Sequence, residues 1–121
     1  MTSLETLNVT QCKKLHSILG LDQLTKLRTL DASRCCEIQE LPGVEHLNSL
    51  DKLVAGKCWK LQNIPVLGKL TKLTELDVGG CSEILEFPSV EHLMSLTSLC
   101  VGDCEKIKAY EGWGSSQSYE H

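Results

Sequence analysis

The chain has 121 residues, 41% of them hydrophobic, 23% charged and only 4% aromatic. That balance suits one folded domain with an aliphatic core. No apolar run reaches the roughly 18 residues of a transmembrane helix, and the opening MTSLETLNVTQ has no basic stretch before an apolar one, so no signal peptide is expected.

The net charge of −4 is unevenly spread. Residues 1–72 hold ten Lys/Arg against seven Asp/Glu, and residues 73–121 hold two against nine. The basic part is weak and no basic stripe interleaves with aromatics, so a nucleic-acid partner is not expected.

In chain order, Leu4, Leu7, Val9, Cys12, Leu15, Ile18, Leu21 and Leu24 open a pattern that returns every 23 residues. Copies start at residues 4, 27, 50, 73 and 96 with no insertion or deletion, and the pattern stops at Trp113. Five copies at a period of roughly 20–29 residues predict a leucine-rich repeat solenoid. The expected architecture is an α/β-type solenoid, a right-handed superhelix of five 23-residue repeats over residues 4–113. Its parallel sheet forms the concave face, and extended or 3₁₀ segments form the convex face.

Each repeat should begin with a short strand: Leu7-Asn8-Val9, Leu30-Asp31-Ala32, Leu53-Val54-Ala55, Leu76-Asp77-Val78 and Leu99-Cys100-Val101. Alternation at period two turns the outer residues of each triplet inward and the middle one outward. The column Cys12, Cys35, Cys58, Cys81, Cys104 then turns the chain away from the sheet. A side chain there sits inside and can bond backbone groups in the bend. Pro42, Pro65 and Pro88 share one slot farther on, which argues against a long helix on the back. The phrases VEHLNS and VEHLMS that follow predict single helical turns, with His46 and His92 as surface or turn residues. The segment 114–121 has no repeat apolars and is expected to be a disordered tail. Neither end carries a polar cap, so the chain reads as a piece of a longer array or as a unit that associates end to end.

Seven cysteines without a leader fit a reducing, cytoplasmic or nuclear compartment. One thiol per rung, all pointing the same way, is a core column and not a zinc site or a disulfide framework. Cys36 and Cys100 fall outside the column and are expected to be exposed. No Ser/His/Asp or Cys/His set falls on facing elements, so no catalysis, cofactor or metal is expected.

The outward columns are the candidate protein-binding surface. One runs Asn8, Asp31, Val54, Asp77, Cys100, and another Thr6, Thr29, Lys52, Glu75, Ser98. A third runs Gln11, Arg34, Lys57, Gly80, Asp103. Columns that vary over a constant core suit recognition, although exposed positions also vary without it. The residues singled out are Asp31, Arg34, Lys52, Val54, Lys57, Trp59, Glu75 and Asp77. Trp59 leads, because an exposed Trp anchors many interfaces; the alternative is that it folds flat on a neighbouring rung. With Val54 and Lys57 it would form a small apolar-basic patch. Five strands ~4.8 Å apart give a flat footprint of only about 300–350 Å², against about 800 Å² per partner in a standard interface.

The phrases LTELDVGGCSEILEFPSVEHLMSL and LRTLDASRCCEIQELPGVEHLNSL resemble the repeat region of plant intracellular nucleotide-binding, leucine-rich repeat immune receptors, the TIR subclass in particular. The GxIP phrase of plant extracellular repeats is absent. The resemblance implies recognition of a pathogen effector or guarded host protein, and contacts that hold the receptor's own nucleotide-binding module inactive. The chain itself has no GxxxxGK[ST] phosphate loop. A general intracellular scaffold, adaptor or ligase substrate-recognition module is the alternative.

Overall fold

The computed structural model describes residues 3–18, 20–64, 67–84 and 93–102. Within them the chain is a parallel-strand solenoid of the leucine-rich repeat type. Five three-residue strands, β1 (Thr6–Asn8), β2 (Thr29–Asp31), β3 (Lys52–Val54), β4 (Glu75–Asp77) and β5 (Ser98–Cys100), pair in sequence order in one sheet. The register advances by one repeat per strand, so Leu7, Leu30, Leu53, Leu76 and Leu99 stand side by side.

Each strand lies one residue earlier than the triplets predicted from sequence. The reason lies in the hydrogen bonding at its two ends. At strand entry one carbonyl accepts two successive N–H groups of the next rung: Arg28 O accepts from Asp51 at 2.7 Å and Lys52 at 3.0 Å. Asp51 O does the same for Thr74 and Glu75, at 2.8 and 3.2 Å. At strand exit the direction reverses. Ala32 N–H donates to Val54 O at 2.8 Å, Ala55 N–H to Asp77 O at 2.7 Å, and Val78 N–H to Cys100 O at 2.9 Å. The inward Val or Ala therefore still belongs to the ladder, just past the strand.

A second set of inter-rung bonds follows two residues later. Gln11 N–H donates to Ser33 O, Arg34 to Gly56 O, Lys57 to Gly79 O and Gly80 to Gly102 O, all at 2.7–2.9 Å. All four donors take positive φ: 62° at Gln11, 64° at Arg34, 60° at Lys57 and 81° at Gly80. Three of the four are not glycine, and the left-handed region costs an L-residue about 1 kcal/mol or more. Fixed hydrogen bonds between rungs hold them there.

Leucines fill the core. Leu27, Leu30, Leu47, Leu50, Leu53, Leu61, Leu67, Leu70, Leu73 and Leu76 are wholly buried, joined by Ile38, Val44, Ala55, Val78 and Ile84. No buried side-chain N or O atom lacks a hydrogen-bond partner among the described residues. On the back, Leu21–Gln23 and Val44–His46 each form a single 3₁₀ turn entered through a left-handed glycine, Gly20 and Gly43. Gly43 has a second constraint: a Cβ there would sit 2.9 Å from the backbone N of Asp22 in the preceding rung. The predicted turn at VEHLNS is thus a 3₁₀ turn, and His46 is exposed on it, 3.7 Å from Glu45.

The cysteine column splits. Cys35, Cys58 and Cys81 are buried, whereas Cys12 is exposed. Each buried thiol reaches back past its own bend to the preceding rung: Cys35 Sγ donates to Val9 O, Cys58 to Ala32 O and Cys81 to Ala55 O, each at 3.0 Å. Cys12 has no earlier rung among the described residues to reach. All the described cysteines are free thiols. Cys36 and Cys100 are half-buried and not fully exposed; Cys36 Sγ lies 3.5 Å from Arg34 O. Cys104, Pro65, Phe87-Pro88, His92, Asp103, Trp113 and the tail 114–121 lie outside the described residues.

Candidate functional site

The strand exits build the site. An Asp or Asn as the last strand residue bends its side chain onto the backbone two residues on, an Asx turn. Asn8 Oδ1 accepts from Thr10 N–H at 3.1 Å, Asp31 Oδ1 from Ser33 N–H at 3.1 Å, and Asp77 Oδ1 from Gly79 N–H at 2.9 Å. Ser33 Oγ adds a bond to Asp31 Oδ1 at 2.8 Å. Asp31 and Asp77 thus shape their own turns as well as facing outward. In the third rung Val54 takes this place, in register with both aspartates. It has no oxygen to offer, and none of the described residues accepts the N–H of Gly56.

Below the strand exits runs an open groove of about 370 Å³, lined by Ser33, Arg34, Gly56, Lys57, Asp77, Gly79, Gly80, Cys100 and Gly102. Its floor is backbone, because glycine occupies the column after the strand in rungs three to five. Arg34 and Lys57 are exposed at its side, with their backbones pinned in the left-handed conformation. Neither makes an ion pair with a described residue. The charged pairs lie elsewhere: Lys60 Nζ bonds both oxygens of Glu37, at 3.1 and 3.2 Å, and Arg28 stands 3.7 Å from Asp51.

Of the eight residues singled out from sequence, the groove gathers three: Arg34, Lys57 and Asp77. Asp31, Lys52, Val54 and Glu75 lie on the strands beside it. Trp59 is 52% exposed, but it lies past the bend at Cys58 and does not line the groove. Of the trio Val54, Lys57 and Trp59, only Lys57 borders it. Sequence reasoning missed the free N–H of Gly56. The signal was present, because the column Asn8, Asp31, Val54, Asp77 changes chemistry at one rung.

Among the described residues, no group of three or more His, Cys, Asp or Glu is placed to hold a metal ion. No helix is long and apolar enough to cross a membrane, again among the described residues. Burial pushes the Cys35 thiol above its ordinary pKa, so it remains protonated as a hydrogen-bond donor.

No model of a known protein family matches the chain, and no curated protein does.

Proposed function

We propose that the chain is a protein-recognition module whose sheet face and strand-exit groove dock a partner protein. One observation carries the reading: an invariant leucine core presents outward positions whose chemistry changes from rung to rung, with Arg34, Lys52 and Lys57 exposed and making no ion pair with a described residue. An exposed Trp59 adds apolar anchoring area one bend away. The recognition requires no catalytic residue, cofactor or metal.

The resemblance of the repeat phrases supports a narrower form of this reading. The chain is then a cytoplasmic or nuclear segment of a plant disease-resistance receptor. Its partners are a pathogen effector, a guarded host protein or the receptor's own nucleotide-binding module. The small footprint favours an array in which further rungs add contact area, since about 800 Å² per partner is usual.

The test is capture of the receptor's nucleotide-binding module, or of a guarded host protein, by the tagged chain and by its Trp59→Ala and Arg34→Glu variants. Loss of capture in both variants, with cooperative thermal melts retained, supports the reading. Unchanged capture by both would sink it. The gene sequence on either side separates receptor from adaptor: a GxxxxGK[ST] loop upstream supports the first, and an F-box-like helix pair supports the second.

A further inference from the structure

We infer that the sheet face pairs with the sheet face of a second copy of this chain, in a weak, salt-sensitive twofold dimer. The inference rests on that face being a docking surface, and it names one partner for it.

Its basis is a charge step between two adjacent rungs. Rung three presents Lys52 and Lys57 outward, and rung four presents Glu75 and Asp77. At the other outward strand and strand-exit positions, Asp31 and Arg34 balance within rung two, and the described residues of rungs one and five carry no charge. The face therefore sets two positive charges beside two negative ones, with no net charge. Lys52 and Glu75 stand in register on neighbouring strands. Even so, none of the four makes an ion pair with a described residue. Asp77 commits one oxygen to the Gly79 N–H, which leaves the other for a partner.

A step of this kind is self-complementary. A twofold axis along the strands, midway between β3 and β4, exchanges rungs three and four and keeps each residue at its own level on the strand. Two copies so related set Lys52 of each against Glu75 of the other. Lys57 of each then lies over the rung that carries Asp77 of the other. Such a contact is isologous, so each charge pairing occurs twice. The charge of the whole chain points the same way. Residues 1–72 hold ten Lys/Arg against seven Asp/Glu, and residues 73–121 hold two against nine. The same axis lays the basic half of each copy on the acidic half of the other, which orients the encounter. Long Lys and Glu side chains span a shallow concave gap, and Gly56, Gly79 and Gly80 keep the strand exits low. The flat footprint of about 300–350 Å² is under half the usual 800 Å² per partner, so the association is weak.

The test is sedimentation equilibrium of the full chain at low salt. It should show a monomer–dimer equilibrium with a Kd on the order of 0.1–1 mM. Raising the salt to about 0.5 M should weaken it at least several-fold, because exposed charges are screened. Lys52→Glu sets like charges against Glu75 of the second copy and should abolish association. Glu75→Lys should do the same against Lys52. Mixed in equal amounts, the two variants should associate again, because each then opposes the other's altered charge. Both variants remain net negative, so bulk attraction does not account for the rescue. Trp59→Ala lies past the bend, off the opposed strands, and should dimerise like the wild type. A chain that stays monomeric to about 1 mM, a dimer indifferent to salt, single charge variants that still dimerise, or a mixture that stays monomeric overturns the inference. If self-association fails while Trp59→Ala and Arg34→Glu abolish partner capture, the twofold dimer falls and the docking face stands. If the mixture dimerises while those variants leave capture unchanged, the twofold dimer stands and the partner-protein reading falls.

Discussion

The Cys58 thiol donates to the Ala32 carbonyl, 26 residues earlier in the chain and one rung back, at 3.0 Å. The same bond recurs from Cys81 to Ala55 and from Cys35 to Val9. The cysteine column is therefore a set of fastenings between rungs as well as apolar filling. Replacing Cys58 with Ala removes the bond and leaves a sulfur-sized void, which should cost about 1–3 kcal/mol. Cys58→Ser retains a donor and should recover part of that loss. Cys12→Ala should change stability by no more than ~0.5 kcal/mol, because Cys12 is exposed. Urea unfolding of the three variants checks the ranking; a Cys12→Ala loss equal to that of Cys58→Ala would refute the fastening role.

The contribution of Cys35 to stability should fall at alkaline pH. Burial raises the Cys35 pKa above its ordinary value of 9.0, so at high pH the folded state holds a proton that the unfolded state has released. This contribution is complete below about pH 9 and is lost as the pH rises through the raised folded value. Cys35→Ser replaces the titrating thiol with a hydroxyl. The stability difference between wild type and this variant should therefore be flat from pH 7 to 9 and shift against the wild type above it. A difference that stays flat through the alkaline range would contradict the prediction.

Lys57 sits at φ 60° where the next rung has Gly80 at 81°. Lys57→Gly should therefore stabilise the chain by about 0.5–1 kcal/mol, as relief of strain outweighs the entropy of the added glycine. The reverse change, Gly80→Ala, should cost about 1–2 kcal/mol. Its cause is the backbone conformation, since the closest contact of the new Cβ, 3.0 Å, is with the flexible Lys57 Cγ. Gly43→Ala should cost more, because its clash is with backbone at 2.9 Å. Thermal melts check all three.

Trp59→Ala should cost less than about 2 kcal/mol, since the residue is 52% exposed and only its covered half contributes. Leu53→Ala, at a wholly buried site, should cost about 2–5 kcal/mol. Denaturation of the pair separates the outward residue from the inward one. A large Trp59→Ala loss would show that the ring holds rungs together.

The rungs were legible because each core slot needs an apolar side chain at a fixed interval, as Leu30, Leu53 and Leu76 show by standing in register. The strand limits were less legible, because they depend on which backbone groups pair at Arg28 and Asp51, and side-chain type does not report that. Arg34 and Lys57 could be read as outward, but nothing in an Arg or a Lys announces a left-handed backbone; only Gly80 in the same column hinted at it. The groove was hidden for a similar reason. Its floor is glycine backbone, and its distinctive group is an N–H exposed by what Val54 lacks.

The fastenings have a direction. In each, the donor thiol lies on the later rung and the accepting carbonyl on the earlier one, as in Cys58 to Ala32 and Cys81 to Ala55. A chain leaving the ribosome therefore presents each of these carbonyls before the thiol that fastens to it. Each new turn of the coil finds its seat already made, so the protein can assemble vectorially, one rung at a time, as it is synthesised.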